Sequence, residues 1–310
     1  MTMTLPVHIP VMPTEVLAGL QLRPGGRYVD CTVGLGGHAA SILEKISPGG
    51  KLLGIDIDAE ALKVARVKLD NYGKAVTLVN DSFANLEDIC RKHDFYPVDG
   101  ILFDLGVSSM QLDTAERGFS FQREAPLDMR FGKEQELAAA DIVNTFPERE
   151  IARILKDYGE ERHSQRIARF IVQNRPLTST LALAGVIEHA LNSKRSRIHP
   201  ATRTFMALRI AINKELENLK KALEQSTNLL GFRGRLMIIS YHSLEDRISK
   251  QFLQREASSC LCPPNTMVCC CGHVPTLKLI SRKVIKPSSL EVEMNPRSRS
   301  AKLRIAERLK

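Results

Sequence analysis

Tyr28-Val29-Asp30-Cys31-Thr32-Val33-Gly34-Leu35-Gly36-Gly37-His38 is a short apolar strand that runs straight into a glycine-rich turn. Helical spacing follows at once, because Ala39, Ile42, Leu43 and Ile46 fall on one face. Strand, glycine turn and helix in that order is how an α/β sheet builds a nucleotide pocket at the carboxyl end of its first strand. Glycine is needed there because any Cβ would keep the backbone away from a ligand.

The pattern repeats outward from this stretch. Leu52-Leu53-Gly54-Ile55-Asp56 is a nearly continuous apolar run, as a parallel strand covered on both faces should be. Leu62, Ala65 and Leu69 mark a helix, Val76 to Val79 a third strand, Leu86 to Arg91 another helix, and Gly100 to Asp104 a fourth strand. Before the opening stretch, a short helix near Thr14 turns Val16, Leu17 and Leu20 inward and ends before Pro24-Gly25-Gly26. This alternation predicts an α/β fold with a doubly wound, mainly parallel sheet.

After Asp104 the alternation stops. The next convincing strand is Arg235 to Ser240. The intervening stretch of about 130 residues is mostly helical in pattern and too long for a loop. The expectation is therefore an inserted helical domain over 112–203, with 1–111 and 204–310 forming the cofactor domain. A helix from Thr202 to Leu223 would lead back into the sheet, with Ala207, Ile210, Ala211, Leu216 and Leu219 inward. A helix over Leu244 to Gln254, a strand-like Thr276 to Ile285 and a last strand over Ser300 to Arg308 complete the reading. That last strand is expected at the antiparallel edge of a mixed sheet.

Four strand ends converge on one crevice: Asp30, Asp56, Ser82-Phe83 and Asp104. Asp56 lies roughly 20 residues beyond the glycines, the spacing of a carboxylate that accepts from ribose hydroxyls. Two cofactors compete for this pattern. Gly34, Gly36 and Ala39 satisfy the G-x-G-x-x-A of a nicotinamide site, which keeps a nicotinamide-dependent oxidoreductase open. S-adenosylmethionine has no pyrophosphate and carries a cationic sulfonium. It calls for an acid before the glycines and another at the fourth strand, where Asp30 and Asp104 stand, with Phe83 to stack on adenine. The pattern favours the methyl donor. Each residue also has an ordinary structural use: a strand-end Asp caps helices, and Phe83 fills core.

Bulk properties narrow the class. The chain has 310 residues and 43% apolar content, enough for one large or two modest packed domains. It has no run of about 18 apolar residues to span a membrane. Met1 to Pro6 lacks a basic segment followed by an apolar one, so a cytoplasmic location is the expectation. The net charge of +9 suits a polyanionic partner, or simply a solvated basic surface. Of seven cysteines, five lie between Cys260 and Cys271. An odd number without an export signal argues against a disulfide framework. Cys260-x-Cys262-Pro263-Pro264 and Cys269-Cys270-Cys271-x-His273 have metal-like ingredients but no Cys-x-x-Cys pair. They read as a proline-braced loop with buried or partly reduced thiols, and no metal is assigned.

The fourth strand ends in Asp104-Leu105-Gly106-Val107-Ser108-Ser109, followed by Gln111-Leu112-Asp113, where base-amino methyltransferases usually carry Asp/Asn/Ser-Pro-Pro-aromatic. Further motifs accompany it: Arg117-Gly118-Phe119-Ser120-Phe121, Pro126-Leu127-Asp128-Met129-Arg130, Tyr158-Gly159-Glu160-Glu161-Arg162, His199-Pro200-Ala201-Thr202-Arg203-Thr204-Phe205, Ser240-Tyr241-His242-Ser243-Leu244-Glu245-Asp246-Arg247 and Asn295-Pro296-Arg297-Ser298-Arg299-Ser300. Together they closely resemble the bacterial ribosomal small-subunit methyltransferase H family, over nearly the whole chain. The resemblance implies a Rossmann-like class I methyltransferase that methylates the exocyclic N4 of one cytosine in the decoding region of 16S rRNA, within the 30S subunit, with S-adenosylmethionine as donor. Family ligand positions fall on Gly36, Gly37, His38, Asp56, Phe83, Asp104 and Gln111. To these the pocket pattern adds Asp30 and Gly34.

Methylation of an exocyclic amine needs alignment and an acceptor for N–H, not covalent attack on the ring, and no cysteine stands at the fourth strand end. Asp104 is the first candidate acceptor, with Ser108 and Ser109 behind it. His242, at the end of the fifth strand, either lines the pocket and helps remove the proton or is a hydrogen-bonded structural histidine. For RNA, Arg162, Arg166 and Arg169 are expected on one helical face at i, i+4 and i+7. Arg175, Lys194, Arg195, Arg197, His199 and Arg203 extend the basic cluster. A solvated face is the plain alternative for each, and a non-catalytic RNA-binding assembly factor the alternative for the whole.

Overall fold

A computed structural model describes residues 9–192, 199–263, 265–266 and 268–310. Among the described residues seven strands form one sheet: β1 (Arg27–Asp30), β2 (Lys51–Asp56), β3 (Val76–Asn80), β4 (Val98–Asp104), β5 (Leu230–Ser240), β6 (Leu277–Leu279) and β7 (Lys302–Arg308), in the order β3-β2-β1-β4-β5-β7-β6. The first five are mutually parallel, and β7 runs antiparallel to both neighbours.

The helices in chain order are α1 (Pro13–Leu20), α2 (Gly37–Ile46), α3 (Ala59–Leu69), α4 (Leu86–Lys92), α5 (Ser109–Asp113), α6 (Ala139–Thr145), α7 (Glu148–Gly159), α8 (Ser164–Gln173), α9 (Thr180–Leu191), α10 (Ala201–Asn213), α11 (Glu215–Leu229), α12 (Ser243–Ala257) and α13 (Ser289–Met294). Among the described residues no helix is long and apolar enough to cross a membrane.

The sheet is doubly covered because its strands alternate between two cores. Tyr28, Leu52, Leu102, Met237 and Ile239 pack on one side with α1, α2 and α3. Val29, Leu53, Ile101, Phe103 and Ile238 pack on the other with α4, α11 and α12. A strand period of two puts neighbouring residues on opposite faces, so both must be apolar. The inward set expected for α2 is buried as read: Ala39, Ile42, Leu43 and Ile46. Burying Ile42, Leu43 and Ile46 is worth about 1.5–3 kcal/mol each.

The chain divides into two compact units. One runs to Gly106 and resumes at Leu216; the other is Val107–Glu215. The second unit has its own core, to which Ile142, Leu155, Ile167, Leu183 and Phe205 contribute from five helices. Its irregular segment before α6 is held by Arg117, whose guanidinium donates to the carbonyls of Arg130 (3.0 Å) and Phe131 (2.8 Å).

Several expectations need correction. The sheet-returning helix over Thr202–Leu223 is two helices. Lys214 is left-handed at φ 49° and ends α10. The Asn213 side chain fixes that end, accepting from the Phe131 N–H (2.8 Å) and donating to the Met129 carbonyl (2.9 Å). Thus α10 packs within the second unit and α11 within the first, and the boundaries fall at 106/107 and 215/216 rather than 111/112 and 203/204. The last strand is antiparallel but not an edge, since β7 lies between β5 and β6. Of Thr276 to Ile285, three residues form β6, and Ile285 adds one isolated bridge to Leu303.

Candidate functional site

Strands β1, β2 and β4 end in Asp30, Asp56 and Asp104 on the same edge of the parallel sheet. Thr32, two residues past β1, ties two of them together. Its N–H donates to Asp30 Oδ1 (3.1 Å), and its Oγ1 accepts from the Asp104 N–H (2.7 Å). Asp56 anchors the glycine turn: Oδ2 accepts from the Gly34 N–H (2.8 Å) and Oδ1 from the Asp58 N–H (2.9 Å). Gly34 (φ 50°) and Gly36 (φ 77°) are left-handed, which strains any residue with a Cβ. A Cβ at Gly34 would meet nothing nearer than the Thr32 carbonyl at 3.8 Å, so backbone conformation and not crowding demands glycine there.

The electrostatics centre on three groups. Asp30 is 1% exposed. Burial pushes its carboxyl up to about 7, the Asp104 and Asp56 charges add to this, and His38 and the Thr32 N–H work against it. His38, in the first turn of α2, is also buried, and its Nε2 lies 3.5 Å from Asp104 Oδ2 without a hydrogen-bond partner. Burial disfavours its charged form, but the Asp104 and Asp30 carboxylates outweigh burial and the net shift is upward. Asp104 Oδ1 accepts from the Tyr241 hydroxyl at 2.7 Å. Burial and the adjacent carboxylate hold that phenol well above its ordinary pKa, so it stays a donor.

Gly106 explains the departure from the usual fourth-strand ending. At φ 125° it leaves β4 in a glycine conformation, and a Cβ there would sit 3.0 Å from Tyr241 Cδ2. The missing side chain makes room for the Tyr241 ring on Asp104. Thr32 and Tyr241 are the functional candidates that motif reading missed. A lone threonine carries no spacing signal, and Tyr241 was passed over for its neighbour His242.

The buried Asp30 and the part-buried Asp104 carboxyls suit a ligand with positive charge and N–H groups. At Gly34 no atom lies within 3.8 Å of where a Cβ would sit, whereas a Cβ at Gly36 or Gly37 would meet Leu69 or Pro10 at 3.4 Å; the acids and the Gly34 turn fit S-adenosylmethionine. Phe83, half-buried, packs edge-to-face on Phe103 with ring centroids 5.8 Å apart.

Ser108 and Gln111 belong to the second unit, where they cap α5. The Ser108 N–H donates to Gln111 Oε1 (3.0 Å) and the Gln111 N–H to Ser108 Oγ (3.2 Å). Ser109 opens α5; its side chain lies outside the described residues. His242 sits at the start of α12, its Nε2 3.0 Å from Glu245 Oε1. Glu245 Oε2 accepts from the N–H groups of Tyr241 (2.8 Å) and His242 (3.3 Å). The structure places His242 against Glu245 with neither ring nitrogen in a hydrogen bond, and pairs Asp104 with Tyr241.

The basic residues separate into two sets. Arg162 lies in the turn before α8, so the expected three-residue helical face shrinks to Arg166 and Arg169; His163 already caps the helix and ends it there. All three are exposed. Arg166 lies over the Phe170 ring (5.9 Å), and Arg169 is 3.7 Å from Glu148. His199 stacks on Phe121 (4.5 Å) and pairs with Glu188 (2.8 Å), while Arg203 is 3.8 Å from the buried Glu161. Arg175 donates to the Val143 and Phe146 carbonyls, which makes it a structural brace. Lys194, Arg195 and Arg197 lie outside the described residues.

A family model described as the MraW methylase family matches residues 6–309. The chain belongs to the MraW methylase family. Several curated members of similar sequence bear the name "Ribosomal RNA small subunit methyltransferase H". That of Dehalococcoides mccartyi strain BAV1 is 58% identical over 302 residues, covering 97% of this chain and 86% of that one. That of Heliobacterium mobile is 51% identical over 311 residues, covering 97% and 99%. That of Clostridium botulinum strain Kyoto is 48% identical over 306 residues, again covering 97% and 99%. Membership of a methylase family along the whole chain does not favour the nicotinamide or the non-catalytic alternative.

Proposed function

We propose that this methylase transfers a methyl group from S-adenosylmethionine to ribosomal RNA of the small subunit, at the exocyclic N4 of a cytosine in the decoding region. The donor supplies an electrophilic methyl group on a cationic sulfonium. Asp30 and Asp104 would provide the negative charge that suits it, Asp56 would accept from the ribose, the Gly34 turn would let it approach, and Phe83 would stack on its adenine. The observation that carries the reading is Asp104: a carboxylate at the end of β4, held by the Tyr241 hydroxyl at 2.7 Å and faced by the buried His38 imidazole at 3.5 Å.

Cytosine N4 is a weak nucleophile because its lone pair is delocalised into the ring. An acceptor at Asp104 takes an N–H bond as the nitrogen pyramidalises, which frees the lone pair for the methyl group. Tyr241 fixes the carboxylate so that one oxygen is always presented in the same direction. His38 lies where it can share the proton that Asp104 gains. The substrate class rests on the names of the similar members. The +9 charge and the exposed Arg162, Arg166 and Arg169 agree with it.

The test is incubation with isotopically labelled donor and either 30S subunits or naked 16S rRNA, followed by nucleoside mass spectrometry. Labelled N4-methylcytidine is expected. Label at carbon 5 of cytosine, or on another base, would sink the N4 assignment. An Asp104→Ala variant that binds the donor and keeps full transfer rate would remove Asp104 from the mechanism.

A further inference from the structure

The segment 258–276, between α12 and β6, holds five of the seven cysteines and no regular structure among its described residues. Its two ends are pinned together. The Thr276 N–H donates to the Glu256 carbonyl (2.9 Å), its hydroxyl donates to Glu256 Oε2 (2.6 Å), and His273 Nε2 lies 3.0 Å from the Arg255 carbonyl. Free cysteines are normally among the most buried residues. Here Cys260, Cys269 and Cys271 are exposed and Cys262 is half-exposed, contrary to the buried thiols expected from sequence. No apolar core gathers these side chains, yet they are gathered.

The Sγ atoms of Cys260, Cys262, Cys269 and Cys271 all lie within 4.8 Å of one another. Individual separations are 3.4 Å (Cys260–Cys269), 3.5 Å (Cys269–Cys271), 3.8 Å (Cys260–Cys271) and 4.0 Å (Cys262–Cys269). A disulfide needs about 2.05 Å, so these are not bonded pairs. With Zn–S near 2.3 Å, the edge of a tetrahedron of thiolates is about 3.8 Å, which these separations bracket. Backbone N–H groups already point at the sulfurs: Leu261 at Cys271 (3.3 Å), Cys262 at Cys260 (3.4 Å) and Cys270 at Cys262 (3.4 Å). Such donors stabilise thiolate charge around a metal. The sequence pattern is two Cys-x-Cys arms that the loop folds face to face, which is why a search for Cys-x-x-Cys passes over it.

We propose that Cys260, Cys262, Cys269 and Cys271 form a structural site for one zinc ion. Binding replaces four S–H bonds with four Zn–S bonds and releases up to four protons to solvent, with no change of oxidation state. The protein fills all four positions, so the site has no place for a substrate and serves to close the loop. It is independent of the methyl-transfer reading.

The test uses the full chain, purified under reducing conditions without chelator and then exposed to zinc. Elemental analysis should find about one zinc per chain, lost in Cys260→Ser and Cys269→Ser but kept in Cys270→Ser. Should the serine variants fail to fold, alkylation of the wild-type protein serves instead: zinc should shield these four thiols from iodoacetamide, and a chelator should expose them. Cobalt(II) in place of zinc should give the intense visible bands of a tetrahedral thiolate site. Three results would overturn the proposal: no zinc retained and no shielding, loss of metal from Cys270→Ser as complete as from Cys269→Ser, or purified protein coloured by iron instead of colourless.

Discussion

Asp30 is an acid that the fold keeps from ionising easily, and its proton is therefore a reporter on both stability and ligand. Its folded-state pKa of about 7 lies above the unfolded value, so the folded chain holds this proton more tightly. Its contribution to stability is present below about pH 4 and is lost as pH rises from there to about 7. The raised His38 acts in the same sense, at higher pH: its contribution is present below the unfolded histidine value and is lost as pH climbs through the folded one. Asp30→Asn should flatten the acid-side slope, gaining on the wild type in chemical denaturation between pH 5 and 8. The amount at stake is on the order of 4 kcal/mol. Donor binding should move the other way. A cationic ligand prefers the carboxylate, so affinity measured by calorimetry should rise with pH up to about 7 and then level off. Affinity that is flat across that range would count against Asp30 as a donor ligand. At Asp104, replacement by Asn should lower the single-turnover rate by about 10²–10³ while donor affinity changes far less. Tyr241→Phe removes one hydrogen bond to a charged group, worth about 1.5–3 kcal/mol, and should cost about 10- to 100-fold in rate. Asp30, Asp56 and Asp104 were legible because strand-end acids follow the sheet's own period. Thr32 and Tyr241 were not, because their partners come from other strands and no local pattern records a contact across 72 or 137 residues.

At the scale of elements, the exit from β4 shows how one glycine sets a site. Gly106→Ala forces a Cβ into φ 125° and to within 3.0 Å of the Tyr241 ring. Thermal melts should show a loss of about 1–3 kcal/mol, and transfer should fall because Tyr241 is pushed off Asp104. A variant with wild-type melting and wild-type rate would show that the ring is free to move elsewhere. The strands and α2 could be read ahead of time since their apolar periods are unbroken and their turns are marked by glycine and proline. The break at Lys214 could not. Apolar spacing continues from α10 into α11, and only the left-handed lysine and the Asn213 side chain on Met129 and Phe131 end the helix there. That break separates α10, in the second unit, from α11, all but the first residue of which lies in the first.

For the molecule as a whole, net charge of +9 predicts salt-sensitive binding to a polyanion. Reversing Arg166 and Arg169 together should weaken RNA binding and lower the slope of log K against log salt by about 1.5–4. An unchanged slope would assign both residues to solvent. Arg175→Ala should behave differently: it removes a brace on the Val143 and Phe146 carbonyls, so stability and not salt dependence should change. Charge and composition left a polyanionic partner and a solvated basic surface both open. They could not say which cations are already spent on internal carbonyls and carboxylates, since that depends on packing within 107–215.

The place of β7 has a consequence for synthesis. β5 is complete at Ser240, but the strand that pairs with its open side begins at Lys302, 62 residues further on. At about 5–20 residues per second, a growing chain carries that unpaired ladder for roughly 3–12 seconds. Throughout that interval Met237, Ile238 and Ile239 lie on an exposed edge, the kind that recruits other strands. A chain stopped after Ala301 would keep this edge permanently and should collect in the insoluble fraction, whereas one stopped after Arg308 should not.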